Sequence, residues 1–181
     1  MHPANPEWPA IYAQVKARLQ PVLPAGALIH HIGSTAVPGL IAKDVIDIQV
    51  TLPRLTDLNP EAMLQAGFTR RLAICDHQPP GMTLPEAELA KLMFAAQTPD
   101  ANIHIRAQGR FNQRYPLLCR DYLRAHPLAA EAYATIKHHL AARFPGDPQA
   151  YYDIKDPVFD LIMSAAEPWA TATNWAQPPP D

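Results

Sequence analysis

The chain is short of glycine and cysteine: 181 residues hold 7 Gly and two Cys, Cys75 and Cys119. The two thiols lie far apart and make no CxxC spacing, so a reduced, cytosolic setting is expected and neither thiol is marked as a nucleophile. Excess charge of either sign is also missing, since 15 Lys+Arg face 17 Asp+Glu for a net charge of −2. A broad grip on nucleic acid needs clustered cations, so that class is set aside, although a local basic pocket is not. No run approaches the ~18 apolar residues of a membrane span. Met1–Glu7 lacks the basic and apolar segments of a signal peptide, and a cytoplasmic location is expected. There is no internal repeat and no linker long enough to divide the chain.

Proline is abundant, with 21 residues, and hydrophobic residues make up 48 %, enough to bury a core. One domain spanning residues 1–181 is expected, with a core over about 6–168 and a frayed tail over 169–181 that ends in Pro178-Pro179-Pro180. Apolar spacing predicts a helix over 9–19, stopped by Pro21 and Pro24, and another over 55–66, stopped by Gly67. Strands are expected over 27–32, 45–52 and 68–76. Residues 88–97 read as a strand that pairs with 101–107 across Thr98-Pro99-Asp100, which puts Asn102, His104 and Arg106 on one face. Helices are expected over 111–125, 127–143 and 156–169, the last with Asp156 as cap and Pro157 at its first position. Strands in the first two thirds and helices in the last third indicate an α+β fold, a mixed sheet flanked by helices.

The informative stretch runs from His30 to Val50. A strand ends in Gly33-Ser34-Thr35, a rigid turn follows, then Lys43, then a strand bearing Asp47. Glycine lets the backbone approach a ligand, and a hydroxyl with its neighbouring N–H groups can hold an anionic oxygen. An anion cradle, a cation and a carboxylate that can bind metal are the parts needed for phosphoryl or nucleotidyl transfer. Of the adjacent His30 and His31, at most one can line the site, and His31 shares a face with Gly33. Arg120 and Arg124 are four apart on a predicted helix, where they either pair with Asp121 or reach a substrate phosphate. Lys137 and Lys155 add at most positive charge to a cleft, and His138-His139 sit on a solvated face. The loop Gln78-Pro79-Pro80-Gly81 is a candidate lid at the site mouth.

Gly33 to Leu40, Ala42-Lys43 and the Ile46-Asp47-Ile48 strand together resemble the GrpB family, whose hallmark is a Gly-Ser-Thr-Ala-Val-Pro-Gly-Leu run followed by Ala-Lys and Ile-Asp-Ile. Asn102 to Ile105, Arg120 to Pro127, Tyr133 to Lys137 and Tyr151 to Phe159 resemble further family segments. The resemblance implies a nucleotidyltransferase-like fold with Gly33, Ser34 and Thr35 at the entry to the site. Related domains are also found fused to dephospho-coenzyme A kinases. It departs from an active nucleotidyltransferase at the metal site. Such a site needs Asp-x-Asp and a third acid for two Mg²⁺ ions, whereas this chain offers Asp47, Gln49 and, on the later strand, His104.

The expected site therefore has Asp47 and His104 as catalytic groups. Gly33, Ser34, Thr35, Lys43, Arg120 and Arg124 bind substrate, and Asp47, Gln49 and His104 are the candidate metal ligands. The cofactor would be a divalent ion, Mg²⁺ or Mn²⁺, or Zn²⁺ at an Asp/His site. Three readings stay open. The protein is a transferase acting on a nucleotide or other phosphorylated small molecule through a degenerate metal site, a non-catalytic binding or adaptor module with a protein partner, or a single-metal hydrolase built on Asp47 and His104.

Overall fold

A computed structural model describes residues 1–72 and 76–181. Strand β2, Ile46–Leu52, shows how the sheet sorts its residues. Side chains alternate along a strand, so Ile46, Ile48, Val50 and Leu52 go to one face and Asp47, Gln49 and Thr51 to the other. Strand β5, Asp100–Ala107, runs parallel beside it, with Asp47 opposite Asn102, Gln49 opposite His104 and Thr51 opposite Arg106. The apolar halves match in the same way, Ile48 opposite Ile103 and Val50 opposite Ile105. Strands β1 (Leu28–Ile32), β3 (Thr69–Arg71) and β4 (Lys91–Gln97) complete a five-stranded sheet in the order β1-β2-β5-β4-β3. The pairs β1–β2, β4–β5 and β3–β4 are antiparallel, so the sheet is mixed and the fold is α+β.

Helix α1, Trp8–Leu19, covers the apolar face with Trp8, Tyr12, Val15 and Leu19. Burial of Ile48, Val50 and Leu52 to 0 % exposure stabilises the sheet by roughly 1.5–3 kcal/mol per side chain as an upper bound. After α2 (Pro60–Gln65) and the single turn α3 (Glu86–Leu89), the last third of the chain folds as α4 (Phe111–Ala125), α5 (Pro127–Arg143) and α6 (Pro148–Thr173). These helices share a second core built on Leu118, Leu123, Tyr133, Ile162, Met163 and Ala166. Val37 and Leu40, from the loop after β1, join that core and so tie the Gly-Ser turn to the helices. Among the described residues, no helix is long and apolar enough to cross a membrane.

Several boundaries differ from expectation, mostly at prolines. The single helix expected over 55–66 is a 3₁₀ turn, Leu55–Asp57, and then α2. Pro60 forces Asn59 into an extended conformation, and Asn59 caps α2 by accepting from the N–H groups of Glu61 and Ala62. The helix expected from Asp156 starts earlier, at Pro148, with the Asp147 carboxylate accepting from Ala150 N–H. Pro157 lies inside α6, where the loss of one ladder bond is outweighed by the apolar face packed on α4 and α5. Asp156 instead receives the Lys155 amine at 3.2 Å. The expected strand over 68–76 is described only as Thr69–Arg71, and Cys75 lies outside the described residues. Residues 169–181 continue α6 to Thr173 and then lie along α4 and β1. Trp175 Nε1 donates to Asp121 at 3.0 Å, Gln177 meets Gln113 at 2.9 Å, and the Pro178 carbonyl meets His30 at 3.1 Å.

Candidate functional site

The polar face of the sheet carries the site. At the end of β1 the chain turns through Gly33, at φ 71° and ψ −168°, into a 3₁₀ turn at Ser34–Ala36. Asp47 packs directly on the Gly33 backbone, so that a Cβ at position 33 would lie 2.5 Å from Asp47 Oδ2. Asn102 Nδ2 donates to Asp47 Oδ1 at 3.0 Å, and His104 Nε2 stands 3.7 Å from the same oxygen. Burial alone would raise the Asp47 carboxyl, but His104, Asn102 and Lys155 together hold it below the ordinary range. Burial lowers His104, with Arg106 and Lys91 adding to the effect against the pull of Asp47. The Asp47–His104 contact is therefore one between a carboxylate and a neutral imidazole at neutral pH.

The cation at the Gly-Ser turn is Lys137, not Lys43. Lys137 on α5 is 1 % exposed, and its Nζ lies 2.8 Å from Ser34 Oγ and 2.5 Å from the Ile41 carbonyl. It has no ion-pair partner among the described residues. Burial, reinforced by Lys155, brings its amine down to about 7. Lys43 instead stacks over the Tyr151 and Tyr152 rings of α6, 5.1 and 5.2 Å from their centroids. The clue to Lys137 is its spacing. Tyr133, Lys137 and Leu140 fall on one stripe of α5 and all three are buried, and a lysine in an apolar stripe must find polar partners.

The expected substrate arginines hold the loop from beneath. Arg120, 2 % exposed, donates to the His31 carbonyl and to the Asp181 carboxylate, each at 2.8 Å, and also to Asp121. Arg124 Nε donates to the Ala36 carbonyl at 2.9 Å. Thr35 Oγ1 is engaged by His31 Nε2 at 2.9 Å. His31 turns to the α1 side, stacked on Tyr12 at 4.7 Å, and it is His30 that shares the face of Gln49, opposite which it pairs. Gly33 leaves the strand at positive φ, so its position in the alternation no longer marks a face of β1. Farther along the polar face, the Asp76 carboxylate binds Lys91 at 2.5 Å, Arg106 at 2.8 and 2.9 Å and Asn112 at 3.0 Å, which holds its carboxyl well below the usual range despite burial.

Gln49 is not free to coordinate a metal. Its Oε1 accepts from Arg106 Nη1 at 2.8 Å, and its Nε2 donates to the Gln113 carbonyl at 2.8 Å. Asp47 and His104 remain. Among the described residues there is no group of three or more His, Cys, Asp or Glu side chains placed to share an ion. This donor set does not fit the carboxylate cluster of a two-Mg²⁺ site or the three to four protein ligands of a zinc site.

Three histidines, His30 and His31 buried and His104 partly so, make stability depend on pH. Burial lowers His30 and His104, and it brings His31 down to about 4. The unfolded chain binds protons at these groups near 6.5 while the folded chain does not, so their contribution is intact above about pH 6.5 and declines below it. At pH 5, His31 alone should cost on the order of 2 kcal/mol. Urea unfolding should show a clearly lower midpoint at pH 5.0 than at pH 7.5, and equal midpoints would show that the folded protein accepts these protons.

A glycine-serine turn facing a strand carboxylate, on a mixed sheet backed by a helical third, defines an α+β protein. The GrpB protein family model matches residues 1–165, and the chain belongs to the GrpB family. The chain is 34 % identical to a UPF0157 protein of Pseudomonas aeruginosa, covering 91 % of this chain and 66 % of that one. It is 36 % identical to a protein of Mycobacterium tuberculosis named dephospho-CoA kinase, over 96 % of this chain and 47 % of that one. The chain thus spans about half the length of the mycobacterial relatives it matches. The crystal structure of GrpB from Enterococcus faecalis superposes with a TM-score of 0.72 at 23 % identity, covering 93 % of this chain and 98 % of that one, a likeness of fold.

Proposed function

We propose that the protein binds a phosphorylated small molecule of the nucleotide class at the Gly33-Ser34 turn. One observation carries this reading: Lys137, a buried amine with no carboxylate partner among the described residues, stands on Ser34 and feels the charge of a second lysine, Lys155. Lys137 when protonated, with Lys155 close enough to act on it electrostatically, favours an anionic group at the turn, and burial strengthens the attraction. Asp47, itself about a third exposed, offers an acceptor for a ligand hydroxyl, with Asn102 and His104 holding its orientation. The name of the mycobacterial relatives, dephospho-CoA kinase, is compatible with a ligand of this class. The incomplete metal donor set favours binding, or transfer without a two-metal clamp, over metal-dependent nucleotidyl transfer or a zinc-type hydrolase.

A thermal-shift screen against nucleotides, coenzyme A precursors and sugar phosphates, each with and without Mg²⁺, Mn²⁺ or Zn²⁺, tests this. A ligand at a hundred times its Kd should stabilise by about 2.7 kcal/mol, roughly 5–10 °C for a chain of this size. Lys155→Met and Asp47→Asn should each abolish the shift while leaving a cooperative unfolding transition. If no ligand shifts the wild type, the phosphorylated-ligand reading falls and a protein partner for an adaptor becomes the better account.

A further inference from the structure

The contact between Ser34 and Lys137 has more chemistry in it than anion binding requires. Lys137 is folded inward, 1 % exposed, with its amine spanning a hydroxyl and a carbonyl. The Ile41 carbonyl can only accept, so it takes one N–H and orients the nitrogen. The Tyr133 ring, its centroid 4.5 Å away, closes another side. Ser34 Oγ, on a half-buried residue at the turn, is then the remaining polar partner of the nitrogen. An oriented amine in an apolar site, hydrogen-bonded to a serine hydroxyl, is how a lysine becomes a general base toward serine.

We propose that Ser34 and Lys137 form a nucleophile–base pair, in which the Ser34 hydroxyl attacks the phosphorus of a phosphoanhydride and Lys137 takes its proton. The substrate class rests on the reading above that a phosphorylated ligand enters this site. In the step, the Oγ–P bond forms and the P–O bond to the bridging oxygen breaks. The leaving phosphate departs with the electron pair, and the hydroxyl proton moves to Lys137 Nζ as an ammonium. An acceptor hydroxyl then attacks the phosphoserine or nucleotidyl-serine: its O–P bond forms as the Oγ–P bond breaks, its own proton is released to solvent, and Ser34 Oγ takes back the proton held on Lys137 Nζ. The lowered Lys137 amine suits this cycle, since it exists in both forms near neutrality.

The surroundings leave the pair a single competent nucleophile. Lys155 of α6 acts on Lys137, and Tyr133, whose ring lies against Lys137, is itself flanked by Tyr151 and Asp156 of α6 and Cys119 of α4. Burial pushes the Cys119 thiol up to about 12 and Tyr151 up to about 12, so neither ionises near neutrality. Lys155 is the nearest cation, and its charge favours the neutral form of Lys137 and the incoming phosphate alike.

A fluorophosphonate probe tests the pair without the natural ligand. Its Ser34 ester forms as P–F breaks, fluoride leaves and Lys137 takes the proton. Intact-mass and peptide mass spectrometry of the full chain should show one adduct, on Ser34, formed faster as pH rises with a midpoint near 7. Ser34→Ala should remove it. Lys137→Met, which keeps the apolar stem, should slow it by about 100-fold or more, the usual contribution of a general base. Lys137→Arg, charged but unable to act as a base, should do the same. No adduct on the folded wild type, an adduct elsewhere, or an undiminished rate in both folded lysine variants overturns the proposal. Labelling without any ligand shift leaves the pair standing and removes the phosphorylated-ligand reading. A ligand shift without labelling does the reverse.

Discussion

Gly33→Ala should be among the most damaging single-methyl additions available to this protein, lowering the melting temperature by roughly 5–15 °C. Two costs add. Gly33 sits at φ 71° and ψ −168°, a region that is essentially glycine's alone, and forcing another residue into it costs about 1–3 kcal/mol. The new Cβ would also lie 2.5 Å from Asp47 Oδ2, 3.0 Å from its Cβ and 3.1 Å from its Cγ, distances at which something must move. Overpacking of this kind costs typically 1–3 kcal/mol more. The movable group is the Asp47 carboxylate, so the site should be lost together with the stability. Gly39→Ala is the internal control. Gly39 also has positive φ, 77°, but a Cβ there meets nothing within 4 Å, so that variant bears the backbone cost alone. Adding Asp47→Ala to Gly33→Ala should recover part of the loss, because the closest contact disappears. Differential scanning calorimetry of the wild type and these three variants decides it. A Gly33→Ala protein no less stable than Gly39→Ala would mean that Asp47 does not rest on Gly33.

Asp76→Ala should be comparably severe, for an electrostatic reason. Arg106, its side chain 6 % exposed, donates to this carboxylate through Nε and Nη2, with Lys91 beside it, and removing the carboxylate takes away the anion that neutralises a buried guanidinium. Loss of one partner from a buried ion network costs about 3–5 kcal/mol. Replacing Arg106 by leucine as well should relieve part of that, so the double variant should be more stable than the sum of the single changes predicts, by about 0.5–3 kcal/mol. Strict additivity in urea unfolding would refute the network. The pH dependence has a definite sign. The Asp76 carboxyl is held below its unfolded value, so its stabilisation is present above about pH 4 and is lost as the pH falls further. Asp76→Asn should flatten that part of the acid limb while leaving the separate decline from the three histidines, which begins near pH 6.5.

Much of the fold is legible because its signals are local. Alternation along Ile46–Leu52 and Asn102–Arg106 assigns both faces of the two central strands correctly, and the turn between β4 and β5 is marked by Thr98-Pro99-Asp100. Element ends are less legible where prolines compete. Pro60 starts a helix at a place where apolar spacing alone would continue one, whereas Pro157 is absorbed inside α6 because two neighbouring helices pack along it. The Gly-Ser turn and Asp47 are recognisable because they are close in sequence and adjacent in space. Asn102, placed beside Asp47, follows only once the parallel register of β2 and β5 is known.

What the sequence determined by itself is the α+β class, the family and the Gly33–Asp47 kernel of the site, all encoded over short stretches of chain. The tertiary structure alone decided which charges serve that kernel. Lys43 is nearest in sequence, but it goes to the Tyr151 and Tyr152 rings, while Lys137, some hundred residues away, meets Ser34. By sequence Arg120 and Arg124 either pair with Asp121 or reach a substrate phosphate; both stand at Asp121, and they also hold the carbonyls of His31 and Ala36. Gln49 is withdrawn from any metal by Arg106 and Gln113. The physical reason is common to all of them. A long polar side chain is neutral toward its own neighbours, and its partner is set by which buried donor or acceptor would otherwise go unpaired after the helices close on the sheet.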